Sequence, residues 1–195
     1  MNTFFLLSAI IALTSCQLGQ DNNEQATSQP LVFDRSYAHL KDQTHLQLAF
    51  GSCLNQEKDA PIFAAIKRAQ PDLFLMVGDN TYADIYRDDV TRMRVAYTEL
   101  GSLLASQGLS FPIEAVWDDH DYGWNNSGAA YSMKKEARQI FCDFFSEPAN
   151  SPRRRQPDGI YTSYIYGPVG QRTQIVLLDG RYERTDSRML GEPQW

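Results

Sequence analysis

A carboxylate placed directly after an apolar strand-length run, with a phenol three residues later, occurs at Gly78-Asp79-Asn80-Thr81-Tyr82. Such a turn can aim both oxygen groups at one ion; the competing assignment has Asp79 capping the next segment and Tyr82 packing. Farther along, Asp118, Asp119 and Asp121 surround His120 in WDDHDYG at 117–123. Carboxylates crowded around one imidazole repel one another unless a cation offsets them, so this pattern points to a metal site. Without a metal, the same group would combine raised carboxylate pKa values with a charged His120, giving a pH-sensitive cluster rather than a catalyst. A further candidate is the thiol of Cys53 in Gly51-Ser52-Cys53. Asn125 and Asn126 offer amides to an anion, although Asn-Asn-Ser-Gly is also an ordinary turn. Arg181, two residues after Asp179, is free either to reach an anion or to pair with that aspartate. The run Arg153-Arg154-Arg155 is flanked by prolines and is expected to be a solvated loop, while His39 and His45 belong to no motif.

These side chains need elements to position them. Residues 46–50 alternate at the strand period and break at Gly51. A helix is expected from Pro61, with Ile62, Ala65, Ile66 and Ala69 on its buried face. Asp72 leads into a continuous apolar run to Val77, as in a strand covered on both sides, which stops at Gly78-Asp79. Val90, Met93, Tyr97, Leu100 and Leu104 recur at helical spacing behind Asp88 and Asp89. Residues 111–117 read as a third strand, which again ends in charge. A helix over about 132–145 would bury Ala137, Ile140, Phe141, Phe144 and Phe145, with Ser132 as its cap and Cys142 as a small core residue. Residues 160–166 and 173–178 look like a hairpin. The alternation of strand and helix predicts an α/β fold with a layered sheet and no second domain. Functional groups in such folds gather at the carboxyl ends of strands, so Cys53, Asp79 and Asp119 are expected to converge.

The chain has 195 residues and 43% hydrophobic content, enough for one domain that buries roughly 70% of its unfolded surface. Its formal net charge of -6 excludes the electrostatic footprint of a nucleic-acid binder. Residues 4–13 are apolar, uncharged and too short to span a bilayer, as in a signal peptide. Leu13-Thr14-Ser15-Cys16 resembles a bacterial lipobox, in which Cys16 would carry the lipid that anchors the mature protein to the cell envelope. Residues 17–45 would then be a tether and lead-in, polar at least to Pro30. If Cys16 is acylated, Cys53 and Cys142 are left in a compartment that permits a disulfide.

Gly51-Ser52-Cys53, GDNTYAD from Gly78, WDDHDYGWNN from Trp117, GIYTSYIYGPVG from Gly159 and LGEPQW from Leu190 occur in the same order as in the PhoD-like (alkaline phosphatase D) metallophosphatases, which the sequence resembles over residues 46–195. The resemblance implies the N-terminal part of the layered α/β sandwich of metallophosphoesterases and hydrolysis of phosphate esters at the cell envelope. It implies Cys53 as a thiolate ligand of Fe(III), Tyr82 as its phenolate ligand, and Asp79 as a carboxylate bridging to a second, divalent ion. Asp119 falls where the superfamily binds that second metal, expected to be Ca2+, because calcium prefers oxygen ligands. His120 takes the place of the catalytic, phosphate-contacting histidine, and Asn126 and Arg181 become candidates for binding the phosphate-ester substrate. Family members run on past the Gly-Glu-Pro-Gln-Trp point and supply further ligands there, and no histidine follows His120 here. The expectation is therefore a C-terminally incomplete domain in which activity is in question. The membrane, through Cys16, is the only other partner implied. The alternative is an envelope lipoprotein that binds metal or phosphate without turning it over.

Overall fold

The computed structural model describes residues 33–35, 37–84 and 89–194. The expected signal peptide with Cys16, and residues 17–32 of the expected tether, lie outside the described residues. Strands β1 (Leu48–Gly51), β2 (Leu73–Val77) and β3 (Ile113–Val116) form a parallel sheet in the order β1-β2-β3. Helix α1 (Ile62–Ala69) connects the first two and α2 (Thr91–Gln107) the second pair. The short α3 (Asp119–Tyr122) follows β3, and α4 (Lys134–Phe144) and α5 (Pro152–Arg155) come next. An antiparallel pair, β4 (Thr162–Tyr166) with β5 (Thr173–Leu177), forms a separate sheet. No helix among the described residues is long and apolar enough to cross a membrane.

The central strand is the one with the unbroken apolar run. Leu73, Phe74, Leu75 and Met76 are all buried in β2, paired on both sides, whereas β1 at the edge alternates and leaves Phe50 74% exposed. Helix α2 buries Met93, Ala96, Tyr97, Leu100 and Leu104, close to the predicted stripe, with Asp89 accepting from the Thr91 amide at 2.8 Å. Tyr97 meets Phe144 and Phe145 at ring separations of 4.9 and 6.4 Å, and Phe141 packs on Trp117 at 5.4 Å. These rings tie α2 and α4 to the end of β3.

Some expectations need correcting. Helix α1 buries Phe63, while Ile62 is 60% exposed and Ala65 and Ala69 are exposed too. Phe63 reaches Phe74 of β2 at 6.1 Å, and one large ring outweighs a stripe of small residues in deciding which face turns inward. Helix α4 starts at Lys134, with Met133 rather than Ser132 at its N-cap. The arginine run is not a solvated loop. It forms α5, and Arg153 is 1% exposed. Its guanidinium donates to the Ala115 carbonyl at 2.6 Å, to the Ile160 carbonyl at 2.8 Å and to Glu147 at 2.6 Å. Glu147 and the fully buried Glu114 also accept from Arg35, at 2.9 and 2.7 Å, so two arginines and two glutamates make a closed quartet behind β3.

Candidate metal centre

Each strand of the parallel sheet delivers one candidate at its carboxyl end: β1 leads to Cys53, β2 to Asp79 and β3 to Asp119. The exits stay bonded past the strands, with the Cys53 amide on the Gly78 carbonyl at 3.2 Å and the Leu54 amide on the Asp79 carbonyl at 2.8 Å. Backbone strain concentrates here. Cys53 (φ 59°), Asp79 (φ 48°), Asp84 (φ 46°) and Asn126 (φ 64°) all lie in the left-handed region, which costs non-glycine residues free energy and recurs at functional sites. Gly78 (φ 103°) is needed for a further reason, because a Cβ there would come within 2.6 Å of the Asp118 Cβ. The turns after β2 and β3 therefore touch only because position 78 has no side chain.

Asp79 is the hub. Its Oδ2 accepts from the Tyr82 hydroxyl at 3.3 Å and from the Cys53 thiol at 3.6 Å. Its Oδ1 is buried and has no hydrogen-bond partner among the described residues. Ligand atoms of Asp79, Asp119 and His120 lie within 4.8 Å of one another, the spacing of groups that can hold one cation. Burial, followed by repulsion from Asp118 and Asp119, pushes the Asp79 carboxyl up. Burial also raises the Tyr82 hydroxyl, helped by the neighbouring Asp79 and Cys53. An orphaned buried carboxylate oxygen, a thiol and a phenol around one point, with like-charge repulsion between the acids, fits a metal ion: a cation would take up the lone pairs and stabilise the anionic forms.

His120 is fixed through one ring nitrogen and one ring face. Its Nδ1 lies 2.6 Å from Asp84 Oδ1, its ring stands 4.5 Å from that of Tyr82, and its carbonyl accepts from the Ala83 amide at 3.2 Å. Asp84 closes the same GDNTYAD motif that opens with Asp79, yet its pairing with His120 depends on a turn that sequence alone does not specify. Gln56 escaped the sequence reading as well. It is buried and brackets the Tyr82 backbone, accepting from its amide at 2.9 Å and donating to its carbonyl at 3.2 Å.

The acids around His120 do not act as one group. Asp121 is fully buried and turned away: it accepts the Asp118 amide at 2.6 Å, the Asn80 amide at 3.1 Å and the Asn80 side chain at 2.6 Å, which braces the β2 turn against the β3 turn. Burial pushes its carboxyl well up. Asp119 behaves in the opposite way. Burial works to raise it, but the Asn126 amide, 2.5 Å from Oδ2, and the nearby Arg181 prevail and hold it below the ordinary range. Among the described residues, Asp79, Asp118 and Asp119, with Asp84 on His120, are the acids of the site. Asn126 itself is exposed and sits at a turn, touching Asp119 through its backbone.

Arg181 does not pair with Asp179 through its side chain. Its backbone amide donates to Asp179 at 2.9 Å, while its guanidinium pairs with Asp118 through Nε and lies 3.4 Å from Asp119 Oδ1 through Nη2. Fully buried Asp179 anchors this loop by accepting also from the Ile160 and Tyr182 amides at 2.8 and 2.9 Å, and Gln194 brackets its backbone at 2.8 and 2.9 Å. The Gly-Glu-Pro-Gln segment thus sets the position of Arg181. Cys53 and Cys142 are both free thiols, so the disulfide alternative does not hold. Cys142 is buried, as expected of a small core residue, and Cys53 is exposed.

No family model and no curated protein matches the sequence. Among solved structures, that of PhoD is similar, with a TM-score of 0.55 and 20% identity over 80% of this chain and 38% of that one. The chain shares the PhoD fold. It spans well under half the length of that relative. At this level of identity the likeness concerns fold, and what the site does follows from its own chemistry.

Proposed function

We propose that this protein is a metal-dependent phosphoric ester hydrolase of the alkaline phosphatase D type, exported and anchored to the cell envelope through lipidated Cys16. The observation that carries the reading is Asp79, with one carboxylate oxygen shared by Cys53 and Tyr82, the other buried without a partner, and Asp119 and His120 beside it. Cys53, Tyr82 and Asp79 would hold Fe(III), since a trivalent ion favours thiolate and phenolate; Asp79 and Asp119 would hold a second, divalent ion, for which Ca2+ suits the oxygen donors. When bound, such a pair of ions supplies Lewis acidity toward phosphate oxygens and a nucleophile from water near neutral pH.

The chain's own residues supply the rest. Asp84 fixes the His120 ring through Nδ1, so that the imidazole is oriented to donate a proton to the leaving alkoxide or a hydrogen bond to the phosphoryl oxygens. Tyr82 restricts the same ring from one face. Arg181, partly buried and already beside Asp119, provides guanidinium donors for the phosphate, and Asn126 lies at the rim. Residues 46–195 would form the metallophosphatase domain, behind the signal peptide of residues 1–16 and the tether of residues 17–45.

The test is elemental analysis of the purified protein together with hydrolysis of p-nitrophenyl phosphate. Bound iron, a visible charge-transfer band from thiolate or phenolate to iron, and loss of both in Cys53→Ala are expected. A protein that retains no iron or calcium after loading refutes the assignment. The exposure of Cys53 favours a second reading, an open site that binds metal or phosphate without turnover. Metal retained in the absence of any hydrolysis would select it.

A further inference from the structure

Among the described residues, the acids of the site outnumber the cations that meet them. Asp79, Asp118 and Asp119 share one guanidinium there, that of Arg181, while His120 pairs with Asp84. Asp119 has both oxygens in use, Oδ2 on the Asn126 amide at 2.5 Å and Oδ1 near Arg181 Nη2 at 3.4 Å. Arg181 is only partly used in return. Its Nη1 is buried and makes no hydrogen bond among the described residues, which is a costly state for a guanidinium N–H. The loop behind it is fixed through Asp179, but the side chain hangs from that anchor after Gly180, whose added Cβ would meet nothing within 4 Å.

We propose that Arg181 is a stand-in cation that competes with the second metal ion for Asp119 and passes to the phosphate group once that ion is bound. The inference rests on the metal-site reading of Asp79, Asp119 and His120. Without the ion, Arg181 offsets one of three carboxylate charges and leaves a net excess of two. A divalent ion removes that excess and weakens the hold of Asp119 on the guanidinium, which keeps Asp118 on Nε and has Nη1 and Nη2 left to donate. That is the arrangement a phosphate dianion needs: its oxygens would satisfy Nη1 and accept the planar fork. Metal and phosphate would therefore bind cooperatively, each drawing Arg181 in the same direction.

The test is calorimetric titration of the full chain with calcium, and of the calcium-loaded protein with inorganic phosphate. In Arg181→Gln the competing charge is gone, so calcium should bind about tenfold more tightly, in line with the interaction of charges a few ångströms apart in largely water-like screening. Phosphate should bind the same variant at least about tenfold more weakly. Arg181→Lys keeps the charge and loses the fork. It should bind calcium like the wild type and phosphate less well, and it decides the matter should Arg181→Gln not fold. Calcium affinity unchanged or weakened in Arg181→Gln, or phosphate affinity unaffected in either variant, overturns the inference while leaving the metal site intact. Failure of the wild type to bind calcium overturns both.

Discussion

Two clusters of charged side chains flank β3, and they are built on opposite plans. Behind the strand, Arg35, Arg153, Glu114 and Glu147 are two positive and two negative groups, linked at 2.6 to 3.7 Å and almost free of solvent. At its carboxyl end, among the described residues, Asp79, Asp118 and Asp119 answer to one arginine, and buried Asp79 Oδ1 and Arg181 Nη1 lack hydrogen-bond partners. The first cluster balances its charges as it stands, although Glu114 Oε2 makes no hydrogen bond among the described residues. The second has, among the described residues, an unspent donor and acceptor and an excess of negative charge, which a ligand would complete. Buried charge alone therefore does not mark a functional site; imbalance of charge together with orphaned polar atoms does. The two cysteines divide the same way, Cys53 exposed among the acids and Cys142 buried near Arg153.

The comparison breaks most visibly if the balanced cluster is unbalanced. Arg153→Met should lower the unfolding free energy by about 3–5 kcal/mol in denaturant titration, because Glu147 would be left buried with one arginine for two glutamates. A loss below about 1 kcal/mol would mean that water already reaches the quartet. The next effect is alkaline. Burial pushes the Cys142 thiol up to about 11 from its ordinary 9.0, so the unfolded chain gives up this proton first. The associated stability is fully present below the unfolded pKa and is lost as pH rises through the folded one, a drop of about 2–3 kcal/mol between pH 9 and 11. Cys142→Ala should flatten that part of the stability curve relative to wild type; parallel curves would show that the thiol is solvated. The smallest effect belongs to the unbalanced cluster. Asp79→Asn removes a repelled carboxylate, so the metal-free protein should gain on the order of 1 kcal/mol, whereas added iron or calcium should no longer raise its melting temperature. Destabilisation of the metal-free protein by this substitution would place Asp79 among the structural acids, beside Asp121.

What could be read in advance was what a short stretch of chain decides for itself. The unbroken apolar run of β2, the spacing of Met93, Tyr97, Leu100 and Leu104, and the aromatic face of α4 each fix an element and the side it buries. Helix α1 was legible as a helix but not in its facing, because Phe63 is oriented by Phe74 across the sheet. The arginine run was misjudged for the same kind of reason. Arg153 looks solvated until Glu147, the Ala115 carbonyl and the Ile160 carbonyl are brought around it from three other parts of the chain.

The candidate site divides likewise. Cys53, Asp79 and Asp119 stand at the ends of strands, and a parallel sheet places such residues together whatever the loops do, so the sequence by itself determined that they would be neighbours. Which of the acids face the site was decided only by tertiary structure. Asp119 and Asp121 lie two residues apart on one helical turn and therefore point in different directions, one toward His120 and Asp79, the other into the protein against Asn80. The partners of His120 and Arg181 were settled in the same way, since Asp84, Asp118 and Asp119 meet them through turns whose conformation depends on contacts distant in the chain.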